Sequence, residues 1–210
     1  MIEFFSHTIA LFNKGGLVMY PLLICSVIVI AIAVERWIYF SQTKTSSRDL
    51  LELQQQLQAG ELGKTAELCQ LTPGSVAELV QKALALNTME QSRLEQAMAR
   101  TAMAVVAKLR GPLNYLDTII TLAPLLGLLG TVTGMIQSFS VLNIKTGQPQ
   151  AITGGVGEAL IATAYGLCVA ILALVIHSYF TQRLEKQIND MEQTANCLLD
   201  SVMRLNHELK

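Results

Sequence analysis

A chain of 210 residues with a net charge of -1 carries no basic excess, which removes any argument for nucleic acid. Its mean hydropathy of +0.43 is too high for an ordinary water-soluble domain, yet charged residues still make up 15%, so the chain reads as part membrane and part water. The four cysteines, Cys25, Cys69, Cys168 and Cys197, lie far apart and show neither a disulfide framework nor zinc spacing.

In chain order, Ile2, Phe5, Ile9 and Phe12 recur at helical spacing within residues 1–14, predicting a short helix lying on a membrane surface. Gly15 to Val34 carries no charge, and Tyr20, Trp37 and Tyr39 flank it as an aromatic belt would. A first transmembrane helix is expected over 15–39, retained rather than cleaved, with Pro21 in a first turn where no backbone bond is lost. Residues 40–117 are polar but periodic. Leu50, Leu53 and Leu57, then Ala66 with Cys69, mark amphipathic pieces broken by Gly60, Gly63 and the Thr72-Pro73-Gly74 turn. Ser75 stands where it would cap a helix carrying Glu78 in its first turn. A helical pattern from about Met89 to Leu109 resumes beyond Gly111-Pro112, predicting a long helix that enters the membrane, with that dipeptide as the place for a kink.

A second span is expected over 118–142, a short polar link over 143–157, a third span over 158–180, and a helical tail over 181–210. In the tail, Leu184, Ile188, Met191, Ala195, Leu198, Val202 and Leu205 form a coiled-coil-like stripe fit to pack on residues 40–117 of the same or a neighbouring subunit. The expected fold is an all-α polytopic membrane protein with three transmembrane helices and long helices extending into the cytoplasm. No strand signal, nucleotide-binding loop, nucleophile triad or metal cluster competes, so no enzyme activity, cofactor or metal is expected. Orientation follows from charge. Of the 15 Lys and Arg residues, Lys14 and Lys145 fall on one side of a three-span layout and all others on the opposite side, which puts the N-terminus outside and the C-terminus in the cytoplasm.

The second and third spans each carry a seam of small residues: Gly127, Gly130, Gly134 and Ser138 in one, and Ala159, Ala162 and Gly166 in the other. Lipid gives helices no hydrophobic reason to associate, so such seams mark close helix packing, and here they predict contacts that hold an oligomer together. Beside them stand Thr131, Thr133 and Thr163, with Glu158 at the mouth of a run free of formal charge from Ala159 to Gln182. An acid there is by default a functional residue. The plain alternatives are a headgroup-level Glu158 favoured by the helix dipole, and threonines bonded to their own backbone. Glu158 and Thr163 are five residues apart, about 140° round an ideal helix, so one of them must face a neighbouring helix rather than a common lumen.

The segment LAPLLGLLGTVTGMIQSF (Leu122 to Phe139) together with GVGEALIATAYGL (Gly155 to Leu167) resembles the MotA/TolQ/ExbB proton-channel family, closest to its ExbB/TolQ branch. The resemblance implies a ring-forming homo-oligomer, a pentamer, in a bacterial inner membrane, with Thr131, Glu158 and Thr163 on a polar proton pathway. It implies a single-span ExbD- or TolR-like partner in the central pore, whose aspartate carries the proton, and a TonB- or TolA-like client. Thr133 departs from the family pattern, which commonly has Trp there, and its role stays open. MotA-like chains usually have four spans, which counts against that branch. The expected function is therefore a subunit converting proton motive force into mechanical work, ExbB-like or TolQ-like. A membrane scaffold without transport would need neither Glu158 nor the threonines. A permease subunit would show broken helices and its own mid-membrane polar groups.

Overall fold

The computed structural model describes residues 16–43, 47–85, 91–144 and 149–208, and among them every regular element is an α-helix. These are α1 (Met19–Gln42), α2 (Ser47–Gln58), α3 (Leu62–Leu71), α4 (Ser75–Ala85), α5 (Gln91–Ile144) and α6 (Pro149–Glu208). Three of them, α1, α5 and α6, hold windows long and apolar enough to cross a bilayer. The chain is thus an all-α, multi-pass membrane protein. The surface helix predicted for residues 1–14 lies outside the described residues.

The chain divides into two compact units. The first comprises Met1–Val34 and Leu113–Ser178 and holds apolar stretches of α1, α5 and α6. Gly16 sits at φ 72°, a left-handed conformation that glycine adopts without a Cβ clash, and its carbonyl accepts the Met19 N–H at 3.2 Å. This turn starts α1 at Met19, four residues inside the predicted 15–39 span, and the helix runs on to Gln42. Val18, Leu22, Cys25 and Val29 are buried on one face, while Tyr20, Ile24, Val27 and Ile30 are exposed on the other. The same division holds for the later helices. Ala123, Ala159, Ala162 and Ala173 are buried, whereas Leu125, Leu128, Ile136, Leu160, Ile171 and Val175 are exposed. At these positions of α5 and α6 small residues lie inside and large apolar ones outside, the arrangement that close helix packing in lipid uses, whereas α1 buries Val18, Leu22 and Val29.

Pro149 is the first residue of α6, where a missing N–H costs nothing, so the helix begins within the predicted 143–157 link. Pro124 lies inside α5, whose helix continues through it.

The second unit comprises Glu35–Pro112 and Tyr179–Lys210. Its main core joins Leu57 of α2, Ala83 of α4, Leu94 and Met98 of α5, and Leu198 and Val202 of α6. The tail stripe therefore packs on its own chain, with Leu184, Met191, Leu198 and Val202 all buried. A second cluster ties Leu53 to Cys69, Ala77 and Val80. Polar clasps fix the register: the Ser201 hydroxyl donates to the Leu57 carbonyl, and Gln54 Nε2 to Thr194 Oγ1 at 3.4 Å. At the start of α4, Ser75 is already the first helical residue, and it is the Gly74 carbonyl that accepts the first-turn Glu78 N–H at 3.1 Å. The helical pattern through Gly111-Pro112 is unbroken in α5. Nearby, Arg36 is 3% exposed: it pairs with Glu35, lies 4.7 Å from the Tyr39 ring centroid, and donates through Nη1 to the Leu109 carbonyl at 3.2 Å. Burying a guanidinium is costly unless its hydrogen bonds and charge are met in this way.

Candidate functional site

Within the first unit the two small-residue seams meet each other. A Cβ added to Gly166 would lie 2.6 Å from the Ala123 carbonyl oxygen and 3.1 Å from the Gly127 Cα. One added to Gly130 would lie 2.6 Å from the Ala162 Cβ, one on Gly127 3.1 Å from the Thr163 Cα, and one on Gly134 3.1 Å from the Ala159 Cβ. Backbone therefore approaches backbone along α5 and α6, which only glycine and alanine permit. All six predicted packing residues take part. The spacing predicts contacts between subunits, whereas here the faces are taken up inside one chain. A small-residue face admits any helix that can approach it, and spacing carries no information about which chain supplies that helix.

This close approach places Thr163. Its hydroxyl donates across the seam to the Gly127 carbonyl at 3.0 Å, with the Ala159 carbonyl of its own helix at 3.4 Å. Thr131 is half-buried one turn beyond Gly127 and donates to the Leu128 carbonyl at 2.6 Å, within α5. Thr133 is exposed and donates to the Leu129 and Gly130 carbonyls at 3.0 and 3.2 Å. All three thus have backbone partners, and Thr131 and Thr163 do not bond to each other. With the hydroxyl protons turned to carbonyls, the oxygen lone pairs remain as acceptors. The Ser138 hydroxyl, buried and bonded to the Gly134 carbonyl at 2.8 Å, packs against Gly155 so closely that no Cβ fits there.

Glu158 turns another way. Its carboxylate lies against Gly16, filling the space that a Gly16 side chain would occupy. Thr163 faces α5 and Glu158 faces the turn that opens α1, so the angular separation read from the sequence is resolved by two different neighbours. Among the described residues no cation pairs with Glu158. The acid therefore stands half-buried beside the positive end of α1, where peptide dipoles favour a negative charge. The role of Gly16 was not legible in sequence, because nothing in a Gly-Gly pair says what will pack on it. No group of three or more His, Cys, Asp or Glu is placed to hold a metal among the described residues.

Three apolar helices, two of them packed backbone to backbone around hydroxyls, and one carboxylate against the turn before the remaining helix, define a multi-pass helical membrane protein with a polar inner seam. The model of the MotA/TolQ/ExbB proton channel family matches residues 72–193, and the chain belongs to that family. That range takes in the whole of the α5 and α6 seam. An ExbB-like biopolymer transport protein of Synechocystis is 36% identical over 85% of this chain and 72% of its own length. A biopolymer transport protein ExbB of Vibrio cholerae is 28% identical over 86% and 82% respectively. The Tol-Pal system protein TolQ of Haemophilus influenzae is 33% identical over 49% of this chain and 43% of its own. The chain is thus similar to both branches, as a membrane proton-channel subunit of ExbB/TolQ type.

Proposed function

We propose that this chain is the ring-forming subunit of a proton-driven motor in a bacterial inner membrane, with a periplasmic N-terminus and a cytoplasmic C-terminus. Five copies surround a pore that holds the transmembrane helices of an ExbD/TolR-like single-span partner. Motion of that partner is passed to a TonB-like envelope protein and drives outer-membrane import. The chain makes and breaks no bonds of its own and needs no cofactor. The observation that carries the reading is the Thr163 to Gly127 hydrogen bond in the family-matched segment, because it ties the two apolar seam helices together at a hydroxyl held inside their contact. Thr131, Thr163 and Glu158 then line a path for a proton whose carrier is supplied by the partner, since neither 118–142 nor 158–180 contains an aspartate. A TolQ-like role in envelope maintenance is the second reading, favoured by the TolQ relative.

The test is proton-dependent client function in cells, with oligomer assembly checked in the same samples. Glu158→Gln keeps the shape and hydrogen-bonding capacity but removes the charge. It is expected to assemble normally and to lose most of the activity, and Glu158→Ala to lose more. Wild-type activity in both variants would leave Glu158 as an interfacial residue outside the proton path. Rescue of a TonB-dependent or of a TolA-dependent defect separates the two branches.

A further inference from the structure

Within the second unit, α1 and α6 form a half-open cavity of about 210 Å³ lined by Trp37, Phe40 and Ser41 from α1 and by Tyr179, Phe180 and Arg183 from α6. Its apolar part is built from stacked rings. Phe40 and Phe180, both buried, stack at 5.5 Å, and Trp37 and Tyr179 stack at 6.3 Å with an interplanar angle of 15°. Its polar part is Arg183, whose guanidinium carbon lies 5.3 Å from the Tyr179 ring centroid and whose Nη2 donates to the Tyr179 hydroxyl at 2.9 Å. The cation is therefore held in place rather than waving in solvent. Arg36 is neutralised by Glu35, whereas Arg183 makes no ion pair among the described residues. Among the described residues the lining carries one full positive charge and no acid, and Glu185 lies about 200° round α6 from Arg183.

The level of this cavity along the chain says what it meets. Arg183 is the first charged residue after the run from Ala159 to Gln182, and Trp37 follows closely on the end of the charge-free Gly15 to Val34 run. Those are the points at which a span gives way to the headgroup region, where Trp and Tyr collect. Trp37 is nonetheless 64% exposed, a large apolar ring left open beside a fixed guanidinium. A guanidinium matches phosphate oxygens with a fork of N–H donors, and Ser41 and Trp37 add an O–H and an N–H. A freely soluble anion would gain nothing from the stacked aromatic floor. A phospholipid gains from both parts, its phosphate at Arg183 and its glycerol and upper acyl carbons on the rings. We propose that this cavity is a binding site for the headgroup of an anionic phospholipid, with Arg183 as its anchor.

Trp37 is the only tryptophan in the chain, so its fluorescence reports on the cavity directly. The full-length protein in neutral detergent is titrated with phosphatidylglycerol, with phosphatidylcholine of the same acyl chains, and with inorganic phosphate. Phosphatidylglycerol should change the Trp37 emission saturably, phosphatidylcholine should need about tenfold more lipid, and inorganic phosphate at the same concentrations should do nothing. Arg183→Gln should weaken phosphatidylglycerol binding about tenfold or more, the scale of a charge-assisted hydrogen bond, and Arg183→Lys by less. Lys186→Gln, which removes a neighbouring charge outside the lining, should bind as wild type. Should Arg183→Gln fail to assemble, Arg183→Lys against Lys186→Gln decides. Equal response to the two lipids, an equal response to inorganic phosphate, or equal losses in the position 183 and 186 variants would each overturn the proposal.

Discussion

Of Thr131, Thr133 and Thr163, Thr163 alone sends its hydroxyl to another helix, and its removal separates stability from function. Thr163→Val deletes one hydrogen bond to a carbonyl in the body of α5, so unfolding of the detergent-solubilised protein should register a loss of about 1 kcal/mol. Proton-dependent client function should be lost altogether with assembly intact, and full activity would remove Thr163 from the mechanism. Cys69 offers a second residue-scale check, away from the apolar spans. Burial pushes its thiol from 9.0 up to about 11, so the unfolded chain gives up that proton at a lower pH than the folded one. Between those values the folded state binds more protons, and stability must fall as pH rises from about 9 towards 11. Thermal unfolding from pH 8 to 10.5 should show this slope, flattened in Cys69→Ala.

At the scale of elements, α5 and α6 are held by the absence of side chains. Gly166→Ala puts a Cβ 2.6 Å from the Ala123 carbonyl oxygen, a backbone atom that cannot rotate away. The helices must separate, at a cost of about 1–3 kcal/mol, and the loss should appear as a lower unfolding temperature of the single chain. A change confined to oligomer size, with unfolding unaltered, would return the seam to the interface between subunits. Gly154→Ala is the matched control in the same helix. Nothing lies within 4 Å of its added Cβ, so it should stabilise α6 by roughly 0.5–1 kcal/mol through helix propensity alone. The tail illustrates how far periodicity reaches. The stripe at Leu184, Met191, Leu198 and Val202 announces a buried face, but its partners Leu57, Ala83, Leu94 and Met98 come from three other helices.

For the whole molecule, the orientation rests on charge: Lys14 and Lys145 against every other Lys and Arg of the 15. A cysteine introduced at Gly147 should react with a membrane-impermeant maleimide applied to intact cells, and one at Lys64 should react only after permeabilisation. The reverse pattern would invert the topology and with it the direction of the proposed proton path. Four native cysteines are present, two of them buried, so the labelling is read in a background with Cys168 and Cys197 replaced by serine.

Hydropathy and small-residue spacing were enough to establish three apolar helices, the long continuity of α5, and Gly127, Gly130, Gly134, Ala159, Ala162 and Gly166 as close-packing positions, because these depend on composition and on the helical repeat alone. Motif likeness marks Thr131, Glu158 and Thr163 as one expected pathway, which the Glu158 and Thr163 variants test. Which face meets which was decided only in three dimensions. The seams close on each other within one chain, Thr163 bonds to Gly127, Glu158 lies on Gly16, and Arg183 joins Trp37 across a cavity, pairs separated by 36, 142 and 146 positions in the last three cases. A helical period states that a face is small, apolar or charged; it holds no term for the identity of the surface that will cover it, which is set by how distant segments pack.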